Sequence, residues 1–332
     1  MDDVLRAWRV DLDVEDLAAA RFAISPLYET GQALAVIREN RAIPVLAGWA
    51  RWAKAQRLNV NLKTPLLDEL AFHGGPSYPE FLTPSPTSAW TTIDDELSTV
   101  AKTPAPAVWD SLQRIWPDNS GPNAARRLFS DTAGTLSVIV DELRLAHRAL
   151  VRPHWSRLRP LLEADIAFKA RRIAHGGYDS ILTALHPSAR WDGRTMRVGG
   201  PAARPVRLSP GGLVFAPTVF GSATLSAKHA SSTQTVLRYP ARGVANAFAQ
   251  PAKSTASLAR LVGRSRADIL ALLTTPATPT ELSAALGITP SAVTQTLRVL
   301  KESGLVQPER VGRRVIYSLT AIGAPLVPEM KV

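Results

Sequence analysis

The chain has 332 residues, enough for two domains with separate cores, and its 45% apolar and 20% charged composition excludes a disordered tail as the main body. It contains no cysteine, which excludes disulfides, thiol redox sensing and thiolate-bound zinc or iron. The formal charge of +11 and the pI near 10.4 favour a polyanionic partner; +4 of that charge falls from Ala256 onward and +7 on the first 255 residues, so the excess is spread along the chain.

The start Met-Asp-Asp lacks the basic region and apolar run of a secretory signal, and no apolar stretch approaches the ~20 residues of a membrane helix, so a cytoplasmic protein without membrane contact is expected. Residues 1–185 read as almost all helical. Asp13 predicts a cap for a helix through Leu17 and Phe22, and Ser25 with Pro26 starts another over Tyr28, Leu34 and Ile37 to about Glu39. Pro44 begins a helix holding Trp49 and Trp52, and Thr64 with Pro65 begins one that Gly74 and Gly75 end. After a loop at 79–86, residues 93–100 and 107–116 return to helical spacing, with Trp109 and Trp116 on one face. From Thr132 a longer helix places Leu136, Ile139, Val140, Leu143 and Leu150 on one stripe, with His147 near it as a hydrogen-bonded core histidine. Arg144, Arg148 and Arg152 form a solvated ridge elsewhere on it. Pro153 breaks that pattern, and a further helix runs to Gly176 and Gly177.

The texture changes at His186-Pro187. Asp192-Gly193 between residues 189–191 and 195–198 is a hairpin signal, and residues 213–219 and 235–239 are short β-type runs. Residues 186–250 therefore read as a small β-containing connector region.

Residues 256–332 carry the densest set of local signals. Ser265 with Asp268 predicts a helix cap, and Thr278 or Thr280 caps the next helix, with Pro279 in its first turn, Leu282, Ala285 and Leu286 as its apolar stripe and Gly287 at its end. Thr289 with Pro290 starts a second helix. Val293, Leu297 and Leu300 fall on one side of it, and Ser291, Thr294, Gln295 and Arg298 on the other, before Gly304 closes it. Polar residues opposite an apolar stripe also describe any surface helix. The hairpin that follows decides the reading, because Glu309, Arg310, Val311, Gly312, Arg313 and Arg314 lie between Val306 and Val315 as a basic turn suited to a phosphate backbone. Helix, turn, helix, strand, basic wing, strand is a winged helix-turn-helix, in which Ser291, Thr294, Gln295 and Arg298 face the major groove and Arg310, Arg313 and Arg314 reach backbone or minor groove.

The stretch LGITPSAVTQTLRVLKESGLV followed by GRRVIYSL resembles the DNA-binding core of the ArsR family of bacterial transcriptional regulators. Where that family's metal sensors carry a paired-cysteine box, this chain has TPTELSAALG, without thiol or histidine, so the resemblance implies DNA binding and not metal sensing. The lines VDLDVEDLAAARFAISPLYET, LHPSARWDGRTMRV, GGLVFAPTVFG and LRYPARGV resemble the uncharacterised domain ahead of such a core in some actinobacterial regulators, which implies an architecture and no ligand.

Chemistry beyond that is sparse. There is no phosphate loop and no GxGxxG, and the histidines form no HxxxH or HExxH pair, so no catalytic residue, metal site or cofactor is expected. The expected fold is mainly α with small β elements: a large, mostly helical amino-terminal sensor or dimerisation region (1–185), the connector (186–250) and the winged helix-turn-helix (256–332). The expected function is a non-enzymatic, homodimeric regulator of double-stranded DNA, a repressor by family resemblance, released by a small organic effector among Trp49, Trp52, Trp109, Trp116, Tyr28 and Phe22. The rivals are a winged-helix protein-interaction module without sequence-specific DNA binding, and an enzyme-derived domain fused to a DNA-binding module.

Overall fold

The computed structural model describes residues 8–72, 78–117, 120–199, 204–208, 212–221, 225–228, 234–248, 256–311, 314–320 and 322–327. They fall into two compact units, one of Met1–Trp155 with Asp165–Ala241 and one of Ser156–Ala164 with Arg242–Val332. In chain order the first unit holds β1 (Trp8–Asp11), α1 (Val14–Ala18), β2 (Arg21–Phe22), α2 (Pro26–Arg38), α3 (Ala47–Ala55), α4 (Leu58–Asn61), α5 (Pro65–Ala71), α6 (Ile93–Ala101), α7 (Ala105–Ile115), α8 (Asn123–Ser130) and α9 (Thr132–Ala146). The long α10 (Trp155–Gly176) contributes to both units. It is followed by α11 (Asp179–Leu182), β3 (Ala189–Trp191), β4 (Thr195–Val198), β5 (Arg204–Pro205), β6 (Leu213–Thr218), β7 (Ser226–Lys228) and β8 (Thr235–Pro240) of the first unit. The second unit continues with α12 (Val244–Ala247), α13 (Ala256–Val262), α14 (Arg264–Leu272), α15 (Pro279–Leu286), α16 (Pro290–Glu302), β9 (Val306–Val311) and β10 (Arg314–Leu319). The fold is mainly α with small β elements, as the sequence patterning predicts.

The chain's start departs from its helical reading. Trp8 and Val10 are buried and Arg9 and Asp11 exposed, the period-two alternation of a strand, and only Val14–Ala18 is helical, under a capping box between Asp13 and Asp16. Phe22 lies in β2, its ring 5.4 Å from that of Phe215, and not in a helix. Both short strands have partners nearly two hundred residues away: β1 pairs antiparallel with β4 and parallel with β5, and β2 pairs parallel with β6. The resulting sheets have the orders β3-β4-β1-β5 and β2-β6-β8-β7, so residues 189–240 share their sheets with the start of the chain. Apolar side chains of both, among them Trp8, Val10, Met196, Phe215, Leu237 and Tyr239, form one core cluster.

The helical part of the first unit is joined by carboxylates that serve other elements' amides. Glu96 of α6 accepts from the Leu27 amide and the Ser25 hydroxyl at the start of α2, and Glu142 of α9 accepts from the Leu66 and Leu67 amides at the start of α5. Glu29 of α2 accepts from the amides of Val219 and Phe220 just past β6. Each satisfies donors that a helix start or strand end leaves unpaired. Thr64 makes no cap for α5; its hydroxyl bonds Asp68 instead, and Glu142 supplies the cap from outside. The expected end of that helix at Gly74 and Gly75 lies outside the described residues. After α9 a π turn (His147–Val151) and a 3-10 turn (Arg152–His154) lead to α10, with Pro153 where the sequence predicts a break. His147 is buried, its Nδ1 3.0 Å from the Thr30 hydroxyl.

Candidate nucleic-acid interface

In the second unit, Ile269, Leu270, Leu273, Leu282, Val293, Leu297, Leu300 and Val306 bury one core. Thr278 and Glu281 make a reciprocal capping box for α15, and Gly287 ends it at φ 66°, the left-handed conformation glycine adopts without steric cost. Thr289 caps α16 by accepting from the Ala292 amide, and Gly304 follows its end at φ 70°. Ser265 is not a cap: α14 starts at Arg264 behind Gly263, whose φ of 86° turns the chain out of α13. Ala285 is exposed, leaving Leu282 and the half-buried Leu286 to anchor α15.

Alternation along α16 separates its two sides. Val293, Leu297 and Leu300 are buried, and Ser291, Thr294, Gln295 and Arg298 are all exposed on the other side. Their hydrogen-bonding capacity is not equally free. The Thr294 hydroxyl donates to the Pro290 carbonyl at 2.8 Å, and the Ser291 hydroxyl lies 3.1 Å from that of the capping Thr289. Gln295 makes no hydrogen bond among the described residues, and Arg298 only a loose 3.9 Å ion pair with Glu302. Gln295 and Arg298 therefore have the most donor capacity to offer a base edge. Glu302 lies one turn beyond Arg298 on the same side and is marked in the sequence only by its i+4 spacing from it.

β9 and β10 form an antiparallel hairpin, with Arg310 opposite Val315 and Val311 opposite Arg314. Arg310 is exposed. Arg314 is placed by its backbone pairing, and Gly312 and Arg313 lie outside the described residues. Ala277, ahead of α15, exchanges both backbone hydrogen bonds with Tyr317 of β10, so the hairpin is tied to the helix-turn-helix.

In the first unit the aromatic residues expected to line a pocket are mostly core. Trp49 and Tyr28 are buried, and the Trp49 indole donates to the Leu150 carbonyl, while Trp109 is partly exposed and donates to the Leu128 carbonyl. A narrow cleft lies between the two sheets, lined by Trp8, Val10, Met196, Val206, Leu213 and Leu237 among others, with room for about one water. The Trp8 indole N–H is buried with no hydrogen-bond partner among the described residues. Among those residues no group of three or more His, Asp or Glu could hold a metal, and no helix is long and apolar enough to cross a membrane.

Comparisons with known proteins bear on both parts. Residues 120–245 match a family of unknown function, DUF5937, and residues 264–309 match a helix-turn-helix domain family. A stretch of 69 residues is 42% identical to the HTH-type transcriptional regulator NmtR of Mycobacterium tuberculosis, covering 20% of this chain and 58% of that protein. The chain thus spans less than two thirds of the curated relative it matches. Two solved structures of Lactococcus lactis ZitR, both of mutant forms, are 33% and 31% identical over 19% of this chain and 45% and 44% of theirs, each with a TM-score of 0.18. The carboxy-terminal part thus matches a helix-turn-helix domain and is similar to a transcriptional regulator of the kind that the residues suggest, and the region ahead of it matches a family of unknown function.

Proposed function

We infer that the chain is a DNA-binding transcriptional regulator, a repressor that binds its operator as a homodimer and is released by a small organic effector. The observation that carries the reading is α16: an exposed polar side on which Gln295 has no hydrogen bond among the described residues and Arg298 only a loose ion pair, backed by a buried stripe and followed by a basic hairpin, in a segment similar to a transcriptional regulator. In this reading Ser291, Thr294, Gln295 and Arg298 contact the major groove, and Arg310, Arg313 and Arg314 contact phosphates or the minor groove. An effector would enter the cleft beside Trp8, whose accessible lining is apolar. The cleft has room for about one water as it stands, so an apolar effector would have to part the two sheets to enter. Selection of bound fragments from genomic DNA, followed by gel shift, tests the reading. Recovery of a two-fold symmetric motif bound in a salt-dependent way is the expected outcome; no enrichment, with no salt-dependent affinity, would return the module to a protein-docking role.

A further inference from the structure

The outer face of the sheet β3-β4-β1-β5 carries three arginines in one cross-strand row. The register sets Arg190 opposite Arg197 and Arg197 opposite Arg9, with Pro205 on the far side of Arg9. Their neighbours Trp8, Val10, Ala189, Met196 and Val198 are buried, so all three arginines leave by the solvent face. Facing residues have Cβ atoms ~4.5–5.5 Å apart, and like charges placed so are destabilising. Arg194 in the hairpin turn and Arg207, two residues past Pro205, are exposed as well.

The acids nearby do not balance them. Asp11 accepts from the Thr195 hydroxyl, and the Asp192 carboxyl is held below its usual range first by the Thr195 and Arg194 amides, with the Arg197 charge a lesser contribution. Arg190 donates to the carbonyls of Pro187 and Ala189, and among the described residues Arg9, Arg197 and Arg207 form no ion pair closer than 4 Å. Part of the +7 on the first 255 residues is thereby concentrated on one flat face.

We propose that this sheet face is a phosphate-binding surface for the sugar–phosphate backbone of duplex DNA, separate from the base-reading side of α16. The choice of DNA rests on the reading of the chain as a DNA-binding regulator. A duplex offers one charge per ~1.7 Å of axis, dense enough to serve arginines set one strand apart. The row carries guanidinium groups and no amide side chain, so it positions DNA without reading sequence.

The test is the full-length double variant Arg9→Gln/Arg197→Gln, its DNA affinity followed by anisotropy across a salt series. Loss of two phosphate contacts should reduce the steepness of log K against log salt by about 1.8. Operator and random duplex should lose affinity by similar factors, and the melting temperature should stay level or rise as a like-charged pair is removed. Each single variant should give about half the change in slope. Unchanged affinity and slope in a variant of a DNA-binding wild type would overturn this surface and leave the regulator reading standing. Absence of salt-dependent DNA binding in the wild type would overturn both. Loss of binding to phosphatidylserine vesicles with DNA binding intact would assign the face to a membrane and overturn the proposal.

Discussion

At Glu29 burial and hydrogen bonding act in opposite directions. The carboxyl is fully enclosed, which pushes its pKa up to about 7 although the Phe220 and Val219 amides favour the ionised form. Burial likewise pushes Glu96 up to about 8, against the Ser25 hydroxyl and the Leu27 amide, and lowers His147 to about 4, helped by the charge of Arg152. Signs follow from proton linkage. His147 binds its proton less well folded than unfolded, so it adds stability as pH rises from about 4 to 6.5; the glutamates bind theirs better folded, so they remove stability as pH rises from about 4.5 through 7 and 8. Above about 6.5 only the glutamates still act, and the melting temperature should fall between pH 6.5 and 8.5. Glu96→Gln should flatten that limb, since its amide can still accept from Leu27 and donate to Ser25. Glu29→Gln turns an N–H toward a backbone N–H and should destabilise by about 1–3 kcal/mol at neutral pH. Equal, pH-independent melting of all three proteins would refute this account. On the DNA side, Arg298→Ala should cost about 1–3 kcal/mol of operator binding and relax one base position, whereas Glu302→Gln should tighten binding by freeing Arg298 and removing a charge that repels phosphate. Gel shifts showing no change in either variant would remove Arg298 from the reading side.

Elements whose signals are local were legible, and those with distant partners were not. Thr278, Thr289, Gly287 and Gly304 mark the ends of α15 and α16 through groups within four residues, so the helix-turn-helix could be read residue by residue. Thr278→Ala should accordingly cost about 1 kcal/mol by removing half of the capping box; a chemical denaturation midpoint identical to wild type would show that the box contributes nothing. β1 and β2 are four and two residues long, too short to outweigh the helical pattern around them, and what fixes them is pairing with β4, β5 and β6 far along the chain. The Glu142 cap on α5 is of the same kind. From sequence Glu142 is one of two adjacent acids, and only the packing of α9 beside α5 turns it inward to the Leu66 and Leu67 amides while Asp141 stays exposed. The burial of the aromatic residues is likewise set by packing that sequence spacing does not show. Trp49 and Phe220 pack edge to face with ring centres 4.7 Å apart, an arrangement aromatic pairs favour.

For the molecule as a whole, a single recognition helix reads few base pairs, so operator binding by two copies at half-sites about 34–36 Å apart is the expected arrangement, and an intact palindrome should bind far more tightly than one half-site. Leu261 is 75% exposed on α13, and Leu261→Asp should shift the mass seen by light scattering toward monomer if that helix supplies the contact. The effector prediction is the more demanding, because a ligand shifts DNA affinity only by the difference in its own affinity for the free and bound forms. A compound that weakens operator binding tenfold must itself bind tenfold more weakly when operator is present, about 1.4 kcal/mol of coupling. The cleft gives this a structural handle: Ala227 and Thr235 line it beside Trp8, and Ala227→Leu places extra atoms there while leaving every residue of the reading side unaltered. In calorimetric titrations the variant should lose the compound while keeping wild-type operator affinity in its absence. If compounds that release DNA from the wild type release it equally from Ala227→Leu, the cleft is not the effector site; if none is found whose binding and DNA release are reciprocal, the regulator works without an effector.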